Sequence, residues 1–448
     1  MLIPLQPRGR SVTVGSILFL LVVAFLVFHS RNADDVVNYV LKRPASECVQ
    51  QQHIDPPSSP LSSPETNDGK WEFVPARDAE DYGLSREQCR IAFPKLFVEI
   101  EKSVAARKDK PITAKELNSK KVGEGMVRVI VHQGELYVVD FNYNPVTYSR
   151  GRATLSAIYR ALRSIPNRHD LRSAEFIFMT EDYAPSWPGP IFAYSKRDSE
   201  ENVWLMPDFA YWSWPEVNVG PYWDIRRRII AVDDGIAIDG RSQRGIDFHR
   251  KKKQLFWRGT TATAPELRGQ LMKMTEKKSW ASVHTIDWNN EEHLRKEVIP
   301  MEDHCRYMFL MHTEGRSFSG RGKYLQNCRS VMVAHKLEWR EIHHGALVAS
   351  GPEANFVEVE RDFSDLDDKM RYLIDHPEVA ERIAQNSVQT FRDRYLTPAA
   401  EACYWRELIV QYASVCDFEP KIYSDIRAKK LRGVPFESWS LTPADFPY

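Results

Sequence analysis

From Met126 to Phe141 the apolar residues fall largely on alternate positions: Val127, Val129 and Val131, then Leu136, Val138 and Val139 beyond Gln133-Gly134. A period of two belongs to a strand with one covered face, and a glycine at a two-residue centre belongs to a hairpin, so an antiparallel strand pair is predicted. The period then changes. Residues Ala153 to Leu162 repeat as one face of a helix, and the block Glu175-Phe176-Ile177-Phe178-Met179 predicts a strand ending at Thr180-Glu181-Asp182-Tyr183. From Ser186 to Trp223 the chain is crowded with Trp and Pro and has little period.

Beyond residue 250 short apolar runs alternate with helical patterns. Gln254-Leu255-Phe256-Trp257 reads as a strand, and Pro265 opens a helix through Leu267, Leu271 and Met272, a position where proline loses no hydrogen bond. Tyr307 to Met311, Ser330 to His335 and Phe356 to Val359 are further strand-like runs. Ser364 is the expected cap of a helix carrying Leu366, Met370, Leu373 and Ile374, and Pro377 starts another with Val379, Ile383 and Phe391. The alternation predicts an α/β protein of two halves joined near residue 240.

The N-terminus differs from both halves. Arg8 and Arg10 precede an apolar run from Val12 to Phe28, about 26 Å long as a helix and suited to a thin early secretory membrane. No small-residue cleavage pattern follows, so an uncleaved anchor with a lumenal body is expected. A Pro/Ser segment, Pro56 to Pro64, then reads as an extended stalk.

With 448 residues, 43% of them apolar, the chain can bury a large core. Lys plus Arg and Asp plus Glu both number 61, which leaves no global basic field and excludes nucleic acid as the main partner. Positive charge is local instead. Glu314-Gly315-Arg316-Ser317-Phe318-Ser319-Gly320-Arg321-Gly322-Lys323-Tyr324-Leu325 combines cations with glycines between two buried runs, and Arg258-Gly259-Thr260-Thr261-Ala262-Thr263 follows the strand at Trp257. Two such loops beside strands suit a nucleotide diphosphate, with Arg, Lys and backbone amides as its partners. Neither matches a Walker loop or a dinucleotide fingerprint.

Asp182, just past a strand and before the Pro/Trp-rich stretch, is the candidate general base; the stretch itself suits stacking on sugar faces. Asp365-Leu366-Asp367 has the spacing of a metal-holding pair, but it falls in the first turn of a predicted helix, where acids suit the dipole. It is read as capping, and no metal is expected. Six cysteines, Cys48, Cys89, Cys305, Cys328, Cys403 and Cys416, form no zinc-type cluster and suit an oxidising compartment.

An ordered series of short strings resembles glycosyltransferase family 90, which holds fungal capsule-associated enzymes and animal protein O-glucosyl/xylosyltransferases. The strings are Glu181-Asp182-Tyr183, Phe192-Ala193-Tyr194-Ser195-Lys196, Trp223-Asp224, Phe256-Trp257-Arg258-Gly259, Asp303-His304-Cys305-Arg306-Tyr307, Ser319 to Leu325, Cys328-Arg329-Ser330 and Cys403-Tyr404-Trp405. The resemblance implies a GT-B fold of two Rossmann-like domains and an inverting, metal-independent transfer of xylose or glucose from a UDP-sugar to a hydroxyl of a glycan or glycoprotein. It implies Asp182 as base, and Arg258, Gly259, Thr260, Thr261, Ser319, Arg321 and Lys323 as UDP-sugar contacts. It also implies a Cys305–Cys328 disulfide, with Cys89–Cys403 as a second.

The domains expected are a cytoplasmic tail and signal anchor (1–30), a stalk (31–70), an acceptor-side α/β domain (71–240), a nucleotide-sugar domain (241–395) and a C-terminal segment (396–448) packing back on the first. Such a protein is a single-pass type II protein of the Golgi or endoplasmic reticulum membrane, its partners being donor, acceptor and membrane. One departure stands out. The animal enzymes follow Arg-Gly with Ser-Arg, whereas this chain has Thr260-Thr261, so one diphosphate-facing cation is missing; either Arg268 or Lys253 compensates, or the donor is held differently. A non-catalytic carbohydrate-binding protein of the same fold is the alternative; the presence of both Asp182 and Arg321 favours the transferase.

Overall fold

The computed structural model describes residues 70–442, except 120, 143–146, 166–167, 169–170, 184–188, 216–218 and 239–240. The expected anchor, the stalk, Cys48 and the joint at residue 240 lie outside the described residues. Among the described residues no helix is long and apolar enough to cross a membrane.

The first half opens with helices α1 (Arg86–Ala92) and α2 (Val98–Ala106), then strands β1 (Met126–His132) and β2 (Glu135–Phe141). Gln133 and Gly134 join the strands with φ of 52° and 76°, the left-handed pair a two-residue hairpin requires. Helix α3 (Tyr148–Arg163) follows, longer at both ends than the pattern predicted, and leads to β3 (Ala174–Met179), buried along its whole length. Two three-residue strands come next, β4 (Ile191–Ala193) and β5 (Val203–Leu205), then helix α4 (Tyr222–Asp234).

β1 pairs antiparallel with both β2 and β3, while β3, β4 and β5 are parallel. The first half therefore departs from the all-parallel Rossmann pattern. The reason is local: a two-residue turn can join only antiparallel neighbours.

The second half keeps the parallel pattern. Its elements are β6 (Lys252–Gly259), α5 (Pro265–Thr275), β7 (Ala281–Thr285), β8 (Tyr307–His312), α6 (Gly322–Asn327), β9 (Val331–His335) and β10 (Val357–Val359). The sheet order β7-β6-β8-β9-β10 is parallel throughout, the doubly wound order of flavodoxin-like folds. Helices α7 (Leu366–Asp375) and α8 (Pro377–Ser387) complete it.

Ser364 does not cap α7. Phe363 adopts φ of 59° to bury its ring completely, the Ser364 amide turns back to the Asp362 side chain, and the helix starts after Asp365. The chain then returns to the first half: α9 (Pro398–Ser414) packs on α3, and Val434–Pro435 adds an antiparallel strand to β2. Disulfides Cys89–Cys403 and Cys305–Cys328 both form.

Candidate functional site

In the second sheet the chain starts at β6, steps out to β7, then crosses to β8 on the other side. The carboxyl ends of β6 and β8 thus flank the point where strand order reverses, the place where doubly wound sheets bind ligands. The segment after Gly259 and the segment after His312 both leave from there. These are the two cation-bearing loops, and the Cys305–Cys328 disulfide encloses the second.

Trp257 sits under the site. Its indole N–H donates to the Thr313 hydroxyl at 3.1 Å, and the guanidinium carbons of Arg268 and Arg321 lie 5.7 and 5.9 Å from its ring centroid. A Cβ on Gly259 would stand 2.8 Å from that ring, so this glycine is required by packing against Trp257. Gly322 is required in the same way, since its Cβ would meet the His312 ring at 2.7 Å.

Arg258, Lys323 and Arg321 of these loops, and Arg268 of the helix that follows the first, are held differently. Arg258 turns toward β7, where its Nε pairs with Glu297 at 2.7 Å and its Nη1 donates to the Ser282 carbonyl at 2.6 Å. Lys323 is wholly buried against Asp208, at 2.8 and 2.7 Å to the two carboxylate oxygens. Arg321 donates to the carbonyl of Arg258, while its Nε is buried with no hydrogen-bond partner among the described residues. Arg268, on the first turn of α5, donates from Nη1 to the Thr260 carbonyl (2.7 Å) and the Thr263 hydroxyl (2.6 Å), and from Nε to the Glu314 carbonyl (3.0 Å).

Among the described residues no carboxylate pairs with Arg268 or Arg321. Burial pushes Arg268 down to about 10; burial, then the nearby charges of Arg268 and Arg258, push Arg321 down to about 9. The Glu314 carboxylate offers no relief, because it accepts the amides of Glu338 and Trp339 and pairs with Arg361. Around them His304 is pushed down to about 3 by burial and then by Arg321 and Arg258, and His312 is pushed down by burial, then by His344 and His335, with Arg321 and Arg268 adding to it.

Of the other sequence candidates, the Thr260 hydroxyl accepts the Ala262 amide, the Thr261 carbonyl accepts the Ala264 amide, and the Ser319 carbonyl accepts the Gly322 amide. Asp182 lies past the end of β3 with its side chain 44% exposed, paired to Arg150 of α3 at 2.8 Å. Its main-chain carbonyl receives two hydroxyls, Ser195 of its own half at 3.0 Å and Ser317 of the cation-bearing loop at 2.6 Å. The two candidate regions are therefore joined directly. Glu181 beside it is raised above the usual carboxylate range by burial, with Asp182 and Glu124 adding to the rise.

Asp365 and Asp367 are occupied elsewhere: Asp365 accepts the Glu360 amide and pairs with Lys369, and Asp367 pairs with Lys278 and accepts from the Trp280 indole. Among the described residues one group, Glu341, His343 and His344, has metal-like proximity. It does not fit a metal. His344 Nδ1 accepts the Glu341 amide at 3.2 Å, which places the neutral ring's proton on Nε2, the nitrogen facing the Glu341 carboxylate at 3.4 Å.

Sequence reasoning assigned no role to Arg150 or Trp257. Trp257 read as one more core aromatic, and Arg150 carries no local signal because its partner lies 32 residues away.

Comparison with known proteins agrees with this chemistry. Human protein O-glucosyltransferase 1 is 23% identical over 290 residues, covering 58% of this chain and 68% of the relative. An O-glucosyltransferase rumi homolog of Aedes aegypti is 24% identical, covering 57% of this chain and 65% of the relative. The O-glucosyltransferase rumi of Drosophila melanogaster is also 24% identical, covering 56% and 62%. The sequence model of Glycosyl transferase family 90 matches residues 86–432, most of the folded body, so the chain belongs to glycosyltransferase family 90 and is a glycosyltransferase.

Proposed function

We propose that this glycosyltransferase moves glucose or xylose from a UDP-sugar to a hydroxyl of a glycan or glycoprotein, with inversion and without a metal ion. The names of its relatives favour glucose. The observation that carries the reading is the shared carbonyl of Asp182: Ser317 from the cation-bearing loop and Ser195 both hold it, so carboxylate and guanidinium groups sit on one joint.

In this reading the acceptor hydroxyl gives its proton to the Asp182 carboxylate as its oxygen bonds to the anomeric carbon. The bond from that carbon to the diphosphate breaks on the opposite face, and UDP leaves with the electron pair. Inversion follows from attack opposite the leaving group. Negative charge growing on the diphosphate meets fixed guanidinium groups, which need no reorganisation at the moment of reaction. Arg150 orients the base. The two halves, 71–240 and 241–395, act as acceptor side and donor side of a GT-B enzyme. The body resides in the secretory lumen, held to the membrane by residues 12–28.

UDP release tests the reading. UDP-glucose or UDP-xylose should support turnover with an acceptor glycoprotein, insensitive to EDTA. Asp182→Asn should lower turnover by roughly 10²–10⁴-fold and leave UDP affinity unchanged, because the lost group acts on the acceptor proton. Near-normal turnover by that variant would remove Asp182 as base; inhibition by EDTA would remove the metal-free mechanism.

A further inference from the structure

We propose that Trp223 and Trp212, with Glu80 and Arg227, form a subsite for an uncharged sugar unit of the acceptor, built from residues outside the cation-bearing loops. The inference rests on the acceptor reading above and narrows it to an acceptor that carries neutral sugars beyond the reacting hydroxyl.

The Trp/Pro-rich stretch sorts its tryptophans by exposure. Trp204 is fully buried, and Trp214 is half-buried with its ring edge-on to Phe209 at 5.5 Å. Trp212 and Trp223 stay open instead, at 38% and 58%. Their backbones are neighbours, since Ser213–Trp214 pairs antiparallel with Gly220–Pro221 and the Tyr222 amide donates to the Trp212 carbonyl at 3.2 Å. A single exposed ring needs no explanation, but two on adjacent backbone segments make an apolar platform kept in water.

Each ring is held by a guanidinium. Arg160 lies 4.7 Å from the centroids of both Trp212 and Tyr82, and Arg227 lies 5.4 Å from that of Trp223, so the rings are oriented before any ligand arrives. Beside Trp223 opens a cleft of about 210 Å³, lined also by Glu80, Arg226, Arg227 and Ile230. That is smaller than the sites of drug-sized ligands and suits a single sugar ring. The Tyr82 hydroxyl is raised above its ordinary value first by burial, and the charges of Arg160, Glu80 and Arg226 all act on it, so both rings and the cleft belong to one surface.

Charge balance selects the ligand. Arg160 pairs with Glu401 at 2.5 Å, Arg226 with Glu80 at 2.5 Å and Arg227 with Asp224 at 2.9 Å. Each of these cations has its carboxylate, unlike Arg268 and Arg321, so an anionic group gains little here. What remains is apolar ring surface beside open polar groups, the side chains of Glu80 and Arg227 being 64% and 63% exposed. A sugar has the matching surfaces, with C–H groups on the face of its ring and hydroxyls around the edge.

The test titrates maltotriose, xylotriose and mannotriose into the full chain by calorimetry, with trigalacturonate as the charged control, comparing wild type with Trp223→Ala, Trp223→Phe and Trp212→Ala. At least one neutral trisaccharide should bind, and trigalacturonate should bind more weakly. Trp223→Ala should weaken that binding roughly tenfold and Trp212→Ala several-fold, while Trp223→Phe should recover part of the loss. Trp223→Ala should keep the wild-type melting temperature and UDP affinity, because its ring is mostly in water and touches neither cation-bearing loop's charges. Failure of all three neutral trisaccharides to bind, or affinity indifferent to both alanine variants, overturns the subsite and leaves the donor reading intact. If a trisaccharide binds through Trp223 while no UDP-sugar supports turnover, the subsite stands and the donor reading falls.

Discussion

Lys323 and Arg321 lie two residues apart, and their charges are held on opposite terms. Lys323 has its counter-charge: Asp208 grips it with both oxygens inside the protein, the ammonium coming from the basic loop of the second half and the carboxylate from the first half. Arg268 and Arg321 have none among the described residues, only carbonyls, a hydroxyl and the face of Trp257. A balanced buried pair is a fastening. An unbalanced one is, in the donor-binding reading proposed above, a place for a ligand's negative charge.

The contrast breaks most easily at the fastening. Asp208→Ala leaves Lys323 buried and alone and should cost about 3–5 kcal/mol of stability, seen as a large fall in melting temperature. Adding Lys323→Met to that variant should restore most of the loss, because a buried pair replaced by apolar groups is often neutral. If the single variant melted like wild type, the pair would not be a fastening at all. Arg321→Ala should behave the opposite way. Donor affinity should fall by roughly 10–100-fold while the melting temperature stays level or rises, since a charge without a partner has been removed; a variant that unfolds instead would place Arg321 with Lys323.

The smallest effect is a pH effect. Burial, then the charges of Arg268 and Arg258, push the Arg321 guanidinium down to about 9, so the folded chain without ligand gives up that proton more readily than the unfolded chain. Its contribution therefore makes the free protein more stable, not less, as pH rises above about 9, while pyrophosphate affinity falls over the same interval. Affinity that is flat from pH 8 to 10 would show that the displacement is too small to matter.

Much of this arrangement was legible in the residues. Alternation around Gln133-Gly134, the apolar block at Phe176 and Pro265 at a helix start each carry a local physical signal, and the structure has the corresponding elements. What escaped was non-local. β4 and β5 are too short to show a period; β4 is a strand because β3 lies beside it, and β5 because β4 does. The antiparallel start of the first sheet was implied by the hairpin but hidden by the expectation of a Rossmann-like half. Charge type was visible at Arg258, Arg321 and Lys323, whereas charge balance was not, because Glu297 and Asp208 lie 39 and 115 residues away from the partners they neutralise. A basic loop read from sequence is a list of cations; only the fold shows which are already answered.

The joint at Asp182 has a consequence for how such a protein changes over time. Ser195 and Ser317 bind the residue's main-chain oxygen, and the proposed chemistry uses its side chain. Architecture and reaction are thus addressed by different atoms of one residue. A substitution there can silence turnover while every residue type keeps the carbonyl that ties the halves together. Such a variant would stay well formed and could hold donor and acceptor at once, which makes it a ready trap for an unknown acceptor. For the same reason, a lineage that lost its catalytic use could persist as a binding protein without passing through an unstable form.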